Sequence, residues 1–337
     1  MAKKKEDKET KQSFDLQMKE LEKKYSMRRG KDIVIEPKIR TGVYALDYVL
    51  DGGIAQCEGG HKIELYGKEG CGKSTMALQI IAKYQALGKK CVYINAENRY
   101  DPTWAEMNGV DNEQILIVKP TTMEVAGDMI VDLIPQVDLI IVDSVAALIP
   151  EEELTTSLED KHYASQAKVA SPMCRKIQVA YRDYKTTIIF INQIREKVGV
   201  MYGNPEITPS GKSIKFLCES RIDMRASKPI TVADVGETEE TKNLDKKEKL
   251  GIEITLTNKK NNIGTPHRNA IVDFYFVGRY DNRKSLLFAG VKYGVIEFSG
   301  KTYQYKDLKA VGQNNFKELL TPEILTEIEN EVWKVAK

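Results

Sequence analysis

Eight consecutive residues, from Gly67 to Ser74, have the types and spacing to bind a polyphosphate. The sequence GKEGCGKS follows an apolar stretch typical of a buried strand and precedes a helical stretch. Glycines let successive backbone N–H groups point inward, and the helix N-terminus adds positive potential. Lys73 is expected to reach the β- and γ-phosphates, and Ser74 to place its hydroxyl on Mg²⁺, with Thr75 packed behind it. A glycine-rich turn that binds nothing is disfavoured, because the strand and helix that the motif requires are both present. The predicted phosphate-site residues are Gly67, Lys68, Glu69, Gly70, Cys71, Gly72, Lys73, Ser74 and Thr75.

Several polar side chains follow apolar runs that are typical of strands buried on both faces. These runs are residues 90–95, 115–118, 137–143 and 186–193. Their alternation with helical stretches predicts a parallel sheet with helices on either side, whose ligand lies beyond the carboxyl ends of the strands. Glu97, Asp143, Asn192 and Gln193 all fall at that edge. Asp143 fits the acid that holds Mg²⁺ through water, and Glu97 fits the group that orients and deprotonates an attacking water. For either carboxylate the alternative is capping of a helix.

The composition is that of a globular protein of about two domains. The chain has 337 residues, of which 42% are hydrophobic and 30% charged, and a net charge of +2. Any contact with nucleic acid must therefore come from a local patch. The five cysteines form no C-x-x-C pair, which suits a reducing compartment. No apolar run approaches the roughly 18 residues of a membrane span, and the start MAKKKEDKETK lacks the apolar segment of a signal peptide. We expect a cytoplasmic protein that does not enter membranes.

An amphipathic helix is predicted near the N-terminus. Phe14, Met18, Leu21 and Tyr25 recur at spacings of four, three and four, which puts them on one helical face. An isolated helix cannot bury such a face by itself. From the pattern alone, folding back onto its own core and docking on another subunit are equally good interpretations. A short strand is predicted at residues 32–36.

Two long stretches leave the predicted nucleotide edge of the sheet. They are residues 150–170 and 194–213, and the second is too rich in Gly, Pro and Asn for one regular element. Loops of this length in compact domains are usually functional or disordered. Arg195, Lys197 and Lys212 are interleaved with apolar and aromatic residues, a pattern that suits single-stranded nucleic acid. Composition alone slightly favours a lid over the nucleotide or an ordinary packed loop.

From about residue 33 to about residue 310 the chain resembles the bacterial RecA recombinase family. The resemblance is carried by GKEGCGKST at 67–75, AEN at 96–98, VDSVAALIP at 142–150, FINQIREKVGVMYGNPE at 190–206 and GKSIKF at 211–216. The phosphate loop marks many unrelated ATPases, whereas the INQIR and GVMYGNPE pair is far more specific. The resemblance implies an α/β fold with a RecA-type P-loop ATPase core, whose mostly parallel twisted sheet is flanked by helices. It also implies three parts: an N-terminal helix and docking arm at 1–32, the core with its DNA loops at 33–280, and a small α+β domain at 281–337.

The same resemblance implies the activity and its central residues. It implies a DNA-dependent ATPase that forms a helical filament on single-stranded DNA, pairs that strand with a homologous duplex, and uses ATP and Mg²⁺ as cofactors. Glu97 would be the catalytic carboxylate, Lys73 would act on the phosphates, and Gln193 would link the γ-phosphate to the DNA loop after it. Trp104 would stack on adenine, with Asp101 near the base. A self-cleaving repressor is a further partner that some relatives would have.

The DNA and subunit contacts are likewise implied by the resemblance. The first DNA loop corresponds to about 155–164, and the second to about 194–211. The N-terminal arm would dock on a neighbouring subunit, which favours that interpretation of the amphipathic helix. The implied DNA-contacting residues are Tyr163, Lys168, Arg175, Arg195, Val198, Gly211 and Lys212, and the implied subunit-contact residue is Phe216.

The chain departs from the family pattern at several positions. The family pattern has two lysines that would reach a neighbour's ATP, and the matching positions here are Lys260 and Asn262. One cation is therefore kept in register, and Lys259 is a candidate to compensate. Residues 226–250 are longer and more charged than expected, which predicts a solvated excursion. The end VWKVAK lacks an acidic tail, which predicts readier uptake of duplex DNA. Cys71 is either a small tolerated residue or a thiol whose pKa is lowered by the nearby helix N-terminus.

Three functions stay open on this sequence. The first is a DNA-dependent ATPase that performs strand exchange. The second is a filament that coats single strands without exchanging them, for which Asn262 is the clue. The third is a ring-forming DNA motor on the same core, which the N-terminal arm and the INQIR loop disfavour.

Overall fold

The structure is a computed structural model that describes residues 17–25, 36–155, 165–196, 206–235 and 241–336. The chain divides into two compact units, residues 1–36 and 37–337. In the first unit, residues 17–25 form helix α1. Leu21 and Tyr25 on its predicted apolar face are 40% and 58% exposed. Phe14 and residues 32–35 of the predicted short strand lie outside the described residues.

The strands and helices follow the predicted alternation. The strands are β1 (Glu36–Ile39), β2 (Ile54–Gln56), β3 (His61–Gly67), β4 (Cys91–Asn95), β5 (Ile115–Val118), β6 (Leu139–Asp143), β7 (Thr187–Gln193), β8 (Arg195–Glu196), β9 (Glu206–Ile207), β10 (Ser220–Thr231), β11 (Lys249–Asn261), β12 (Asn269–Tyr275), β13 (Arg279–Asp281), β14 (Glu297–Ser299), β15 (Thr302–Tyr305) and β16 (Leu308–Val311). The helices after α1 are α2 (Tyr44–Val49), α3 (Lys73–Ala86), α4 (Pro102–Met107), α5 (Met123–Leu133), α6 (Glu151–Thr155), α7 (Ser165–Ala180), α8 (Ser213–Leu217), α9 (Val232–Val235), α10 (Arg283–Lys292), α11 (Gln313–Glu318) and α12 (Pro322–Val335). Among the described residues, no helix is long and apolar enough to cross a membrane.

A nine-stranded sheet organises the second unit. Its order is β13-β12-β11-β10-β3-β7-β6-β4-β5. Neighbours from β10 to β5 run parallel, and β10 to β13 pair antiparallel at the other edge. The predicted α/β class with a mostly parallel sheet is therefore confirmed. The phosphate-loop strand β3 lies between β7 and β10, so its carboxyl end has a neighbouring strand on both sides.

Two apolar clusters cover the two faces of the sheet, as the apolar runs predict. Along β4, Cys91 and Tyr93 join one cluster, whereas Val92 and Ile94 join the other. Alternate side chains of a strand point to opposite faces, so a strand covered on both sides carries apolar side chains in consecutive positions. Helix α3 packs into the first cluster, and α5 and α7 pack into the second.

Helices and a small antiparallel sheet form the C-terminal part of the chain. Helix α10 is followed by the hairpin β14–β15, and Thr321 caps α12 by accepting a hydrogen bond from the Ile324 N–H. Leu286 and Phe316 are buried in the same cluster as the α3 face of the sheet. The boundary at residue 281 stays a prediction.

The charged segment 226–250 is more regular than we predicted. Residues up to Thr231 continue β10, and β11 begins at Lys249, so the two strands form a long antiparallel pair. Ser227 donates hydrogen bonds to Glu253 across this pair. The polar composition misled the prediction because antiparallel strands do not need two apolar faces. For the residues between these strands, a solvated excursion stays a prediction.

Candidate active site

The phosphate loop connects β3 to α3 through positions that require glycine. Gly70 and Gly72 have φ angles of 72° and 76°, in the left-handed region that side chains disfavour. A Cβ at Gly67 would lie 2.2 Å from the carbonyl oxygen of Met224. Gly72 precedes α3 and provides no side-chain cap. The Tyr280 hydroxyl donates to the Gly72 carbonyl oxygen at 2.8 Å and holds the turn. The loop thus presents the amino end of a helix without a competing side-chain oxygen, as an anion site requires.

Lys73 is folded over this loop. Its ammonium donates to the carbonyl oxygens of Gly67 at 3.1 Å and Lys68 at 2.8 Å, and the residue is 8% exposed. The Lys73 ammonium lies beside the phosphate loop, where a phosphate can replace the carbonyl oxygens as its hydrogen-bond acceptor. The residues present therefore fit a nucleotide polyphosphate.

Cys71 does not have the lowered thiol pKa that the helix N-terminus predicted. The residue is 1% exposed, and burial raises its pKa, although the nearby Lys73 charge opposes that rise. Removal from water penalises the thiolate more than the Lys73 ammonium stabilises it. The predicted lowering of the Cys71 pKa is therefore wrong, and the interpretation of Cys71 as a small packed residue fits its burial.

Asp143 ends β6 beside the start of α3. Burial raises its pKa, and hydrogen bonds from Ser74 and Tyr93 oppose the rise. The Tyr93 hydroxyl donates to Oδ2 of Asp143. The Ser74 hydroxyl and the Asp143 carboxylate are in hydrogen-bond contact, and both are hard oxygen ligands of the kind that Mg²⁺ prefers. Ser74 and Asp143 therefore fit the predicted metal site. Tyr93 was missed at the level of sequence, because its role depends on the adjacency of β4 and β6.

Glu97 lies at the carboxyl end of β4, at the centre of a group of polar contacts. Its Oε1 accepts from the Ser144 hydroxyl at 2.5 Å and from the Gln193 side-chain amide at 3.2 Å. The Arg99 guanidinium lies 3.4 Å from Oε2. A cavity of about 320 Å³ beside Glu97 is lined also by Gln193 and Arg195. The carboxylate thus lines a cavity that extends to Arg195, at the start of segment 194–211.

Trp104 and Asp101 occupy α4 and its cap. The Asp101 carboxylate accepts from the Thr103 and Trp104 N–H groups, so its first function is to cap α4. The Trp104 indole N–H approaches the Thr75 hydroxyl at 3.4 Å, which places the ring beside the phosphate loop. A Cβ at Gly278 would lie 3.1 Å from this ring. Gly278 was not predicted, because no sequence signal connects the β12–β13 turn to α4.

A buried ion pair sits between the three central strands. Arg221 on β10 donates to Glu64 on β3, and the Asn192 amide on β7 donates to the other oxygen of Glu64 at 3.0 Å. Glu64 and Asn192 are fully buried. The Asn192 side-chain oxygen accepts from the Gln193 N–H at 3.0 Å. The network therefore fixes the strand immediately before Gln193, and sequence reasoning found neither Glu64 nor Arg221.

The described DNA-loop candidates lie around the ends of segments 155–164 and 194–211. Arg195 on β8 pairs with Ile207 on β9. Gly211, with a φ of 64°, comes close to Ala167 on α7, so the end of the second segment meets the helix after the first. Lys168 and Arg175 on α7, and Gly211 and Lys212, are exposed. Tyr163 and Val198 lie outside the described residues.

Lys260 lies against its own chain. Its ammonium donates to the carbonyl oxygens of Lys215 at 3.1 Å, Phe216 at 3.2 Å and Cys218 at 2.5 Å, at the C-terminal end of α8. A cation is favoured there because it satisfies unpaired carbonyls and the helix dipole. The Phe216 side chain remains 71% exposed.

Comparisons with known proteins identify the family of this chain. The family model for the RecA N-terminal domain matches residues 11–279. Protein RecA of one Thermus thermophilus strain is 38% identical over 305 residues, which cover 88% of this chain and 85% of that protein. Protein RecA of Oceanobacillus iheyensis is 35% identical over 334 residues, covering 96% and 91%. The chain belongs to the RecA family. A crystal structure of the RadB recombinase is similar at a TM-score of 0.49 and 20% identity, covering 71% of this chain and 97% of that one.

The structure brings together the residues that the RecA resemblance assigns to the nucleotide. Gln193 lies opposite Gly67 in the β3–β7 register, and the Ile194 N–H donates to the Gly67 carbonyl oxygen at 3.3 Å. Glu97, Asp143 and the phosphate loop share one edge of the sheet. Lys260 does not join them in the single chain, and its assignment to a neighbour's ATP stays a prediction.

Proposed function

We infer that this chain is a recombinase that acts in DNA recombination and repair, forms a filament on single-stranded DNA, and hydrolyses ATP. Membership of the RecA family supports the recombinase role. The observation that carries the coupling of hydrolysis to DNA is the hydrogen bond from Gln193 to Glu97, since Gln193 also lies beside Gly67 and directly before segment 194–211. Gln193 thus connects the candidate general base Glu97, strand β3 before the phosphate loop, and the candidate DNA-binding segment 194–211.

We propose that ATP and Mg²⁺ occupy the loop between β3 and α3. The backbone of Gly67 to Gly72 and the Lys73 ammonium would hold the phosphates, and the Trp104 ring would pack on the base. Ser74 and Asp143 would hold the metal. When bound, ATP supplies the phosphoryl group to be transferred, and Mg²⁺ offsets its negative charge.

Glu97 is proposed to orient and deprotonate the attacking water. Ser144 and Gln193 both donate to Oε1, which fixes the plane of the carboxylate. We therefore assign Oε2 as the oxygen that takes the proton of the water. The exposed Arg99 guanidinium lies 3.4 Å from this oxygen.

The exposed basic residues near the two segments are proposed to contact DNA phosphates. Arg195, Lys168, Arg175 and Lys212 would supply local positive charge on a chain whose net charge is only +2. We propose Tyr163 and Val198 as further contacts with the bases, and Gly211 as a close backbone approach to the strand. Affinity for single-stranded DNA should then fall steeply as salt rises.

The N-terminal arm, Phe216 and Lys260 are proposed to contact a neighbouring subunit. The N-terminal arm and the exposed Phe216 would contact a neighbouring chain, and Lys260 would leave the α8 carbonyls to reach the neighbour's nucleotide. Phe216 is 71% exposed in the single chain, which suits an interface residue. A self-cleaving repressor stays a further predicted partner.

The decisive experiment measures hydrolysis and binding together. ATP turnover should rise when a single-stranded oligonucleotide is added, and oligonucleotide affinity should rise with a non-hydrolysable ATP analogue. Equal turnover with and without oligonucleotide, together with nucleotide-independent binding, would overturn the proposal. Strand displacement from homologous and heterologous duplexes separates exchange from mere coating of single strands, the function for which Asn262 is the clue.

A further inference from the structure

A cluster of charged side chains fastens β9 to β10. The Arg225 guanidinium donates to both oxygens of Glu206, from Nη1 to Oε1 at 2.6 Å and from Nη2 to Oε2. It also donates to Asp223, from Nε at 2.6 Å and from Nη2 at 3.1 Å. Bidentate pairing of a planar guanidinium with a carboxylate fixes orientation as well as distance. Arg225 therefore holds Glu206 in one place relative to β10.

This cluster lies across the phosphate-loop strand from Gln193. In the β3–β7 register Gln193 lies opposite Gly67, and in the β3–β10 register Met224 also lies opposite Gly67. Strands β8 and β9 pair with each other, through Arg195 with Ile207 and Glu196 with Glu206. The β8–β9 ribbon is thus attached to β7 by the chain itself and to β10 by the Arg225 guanidinium. The two attachments lie on opposite sides of the strand that leads into the phosphate loop.

The charges of the cluster also reach the phosphate loop. The hydrogen bonds from Arg225 lower the pKa of Glu206, and the Lys68 and Lys259 charges contribute in the same direction. Lys68 belongs to the phosphate loop itself. Glu206 therefore stays ionised and interacts electrostatically with a residue of the nucleotide cradle while it is bound to Arg225.

We propose that Glu206 and Arg225 are positioning residues that form a second connection between the phosphate loop and the candidate DNA segment. The inference rests on the proposed function, in which that segment grips single-stranded DNA. With Gln193 as the only connection, the β8–β9 ribbon could pivot about one end. The ion pair holds the other end, so a change at the phosphate loop moves the ribbon as a unit. Neither residue touches the reacting atoms.

The test uses the full-length protein and the ratio of two affinities. The affinity for a single-stranded oligonucleotide is measured with a non-hydrolysable ATP analogue and with ADP, for the wild type, Glu206→Ala, Arg225→Ala and the double variant. Each single variant should lower the analogue-to-ADP ratio about fivefold, the effect of a partly exposed but bidentate ion pair. The double variant should be no worse than the more affected single variant, because the two residues act through one contact.

Controls separate positioning from general damage. Arg225→Lys keeps the positive charge but loses the bidentate hydrogen bonding of the guanidinium. Its analogue-to-ADP ratio should lie between those of the wild type and Arg225→Ala. Glu327→Gln removes a carboxylate that pairs with Lys306 on the C-terminal part, and should leave the ratio unchanged. Unfolding temperature and the affinity for labelled ATP should match the wild type in all variants. A merely structural role would lower the unfolding temperature without changing the ratio.

The outcomes distinguish this inference from the proposed function. A wild-type ratio of one would overturn the proposed function and the inference with it. A high wild-type ratio that persists in Glu206→Ala or Arg225→Ala would overturn the inference alone. Losses that multiply in the double variant would also overturn it, because the residues would then act independently.

Discussion

Removal of the Gln193 amide tests the central contact of the site. The Gln193→Ala change deletes the donor that lies 3.2 Å from Oε1 of Glu97. A hydrogen bond from a neutral donor to a charged acceptor contributes about 1.5 to 3 kcal/mol. The Glu97 side chain is only 19% exposed, so solvent replaces this bond poorly. If the bond acts fully in the transition state, DNA-stimulated turnover should fall by about 10- to 150-fold. Affinity for ATP should change little, because the Gln193 amide donates to Glu97, whereas the loop backbone and Lys73 are the groups proposed to hold the phosphates.

The assay is steady-state ATP hydrolysis with and without a single-stranded oligonucleotide, together with titration of a fluorescent ATP analogue. Gln193→Asn is the matched control for amide chemistry, since it keeps the amide but shortens the side chain by one methylene. It should behave like Gln193→Ala if the reach to Glu97 matters. Equal DNA stimulation in the wild type and Gln193→Ala would refute the assignment. A parallel loss of ATP affinity would show instead that Gln193 acts on the nucleotide in the ground state.

The packing of the site and of the core leads to three more expected outcomes. If the Trp104 ring stacks on the adenine base, Trp104→Ala should weaken binding of ATP by about 5- to 150-fold. Trp104→Phe should retain most of the affinity. Titration with a labelled nucleotide measures both affinities. Glu64→Gln leaves Arg221 buried without its counter-charge and should lower the free energy of unfolding by about 3 to 5 kcal/mol in urea, and a loss under about 1 kcal/mol would contradict the role of the pair. Burial lowers the pKa of His61 from 6.5 to about 3, so the unfolded state binds a proton that the native state rejects, and the His61 contribution to stability is lost as pH falls from about 6.5 towards 3. Buried Asp47, whose pKa is raised to about 7, has the opposite pH dependence, so the test compares the wild type with His61→Gln. The difference in free energy of unfolding should change by about 1.4 kcal/mol per pH unit between pH about 4.5 and about 6, and a constant difference would argue against a neutral native His61.

Local pattern was enough to predict the phosphate loop, the parallel sheet and most strand positions. The turn from Gly67 to Ser74 is specified by its own glycines, of which Gly70 and Gly72 have the φ angles that other residues avoid. The runs at 139–142 in β6 and 188–191 in β7 are apolar because both faces of the sheet are covered there, whereas Leu116 of the edge strand β5 is 64% exposed. These features depend on residues that are neighbours in the chain, so the sequence alone shows them.

Side chains at the strand ends were predicted from the same logic, but their partners were not. Glu97 and Asp143 could be placed at the carboxyl edge from the order of the strands. Their contacts with Ser144 and Tyr93 depend on which strands are adjacent and in which register. Cys71 shows the limit in another way, because its pKa is governed by burial, which a helix-terminus argument does not include.

A nucleotide polyphosphate site on an α/β core could be predicted from the order of residues, because one short turn carries the required glycines, lysine and hydroxyl. The position of β3 between β7 and β10 became known only from the folded chain. That placement puts Gln193 on one side of the phosphate strand and Arg225, with its partner Glu206, on the other. Contacts between residues that are far apart in the chain depend on strand order and register, and the type of each residue does not specify either one.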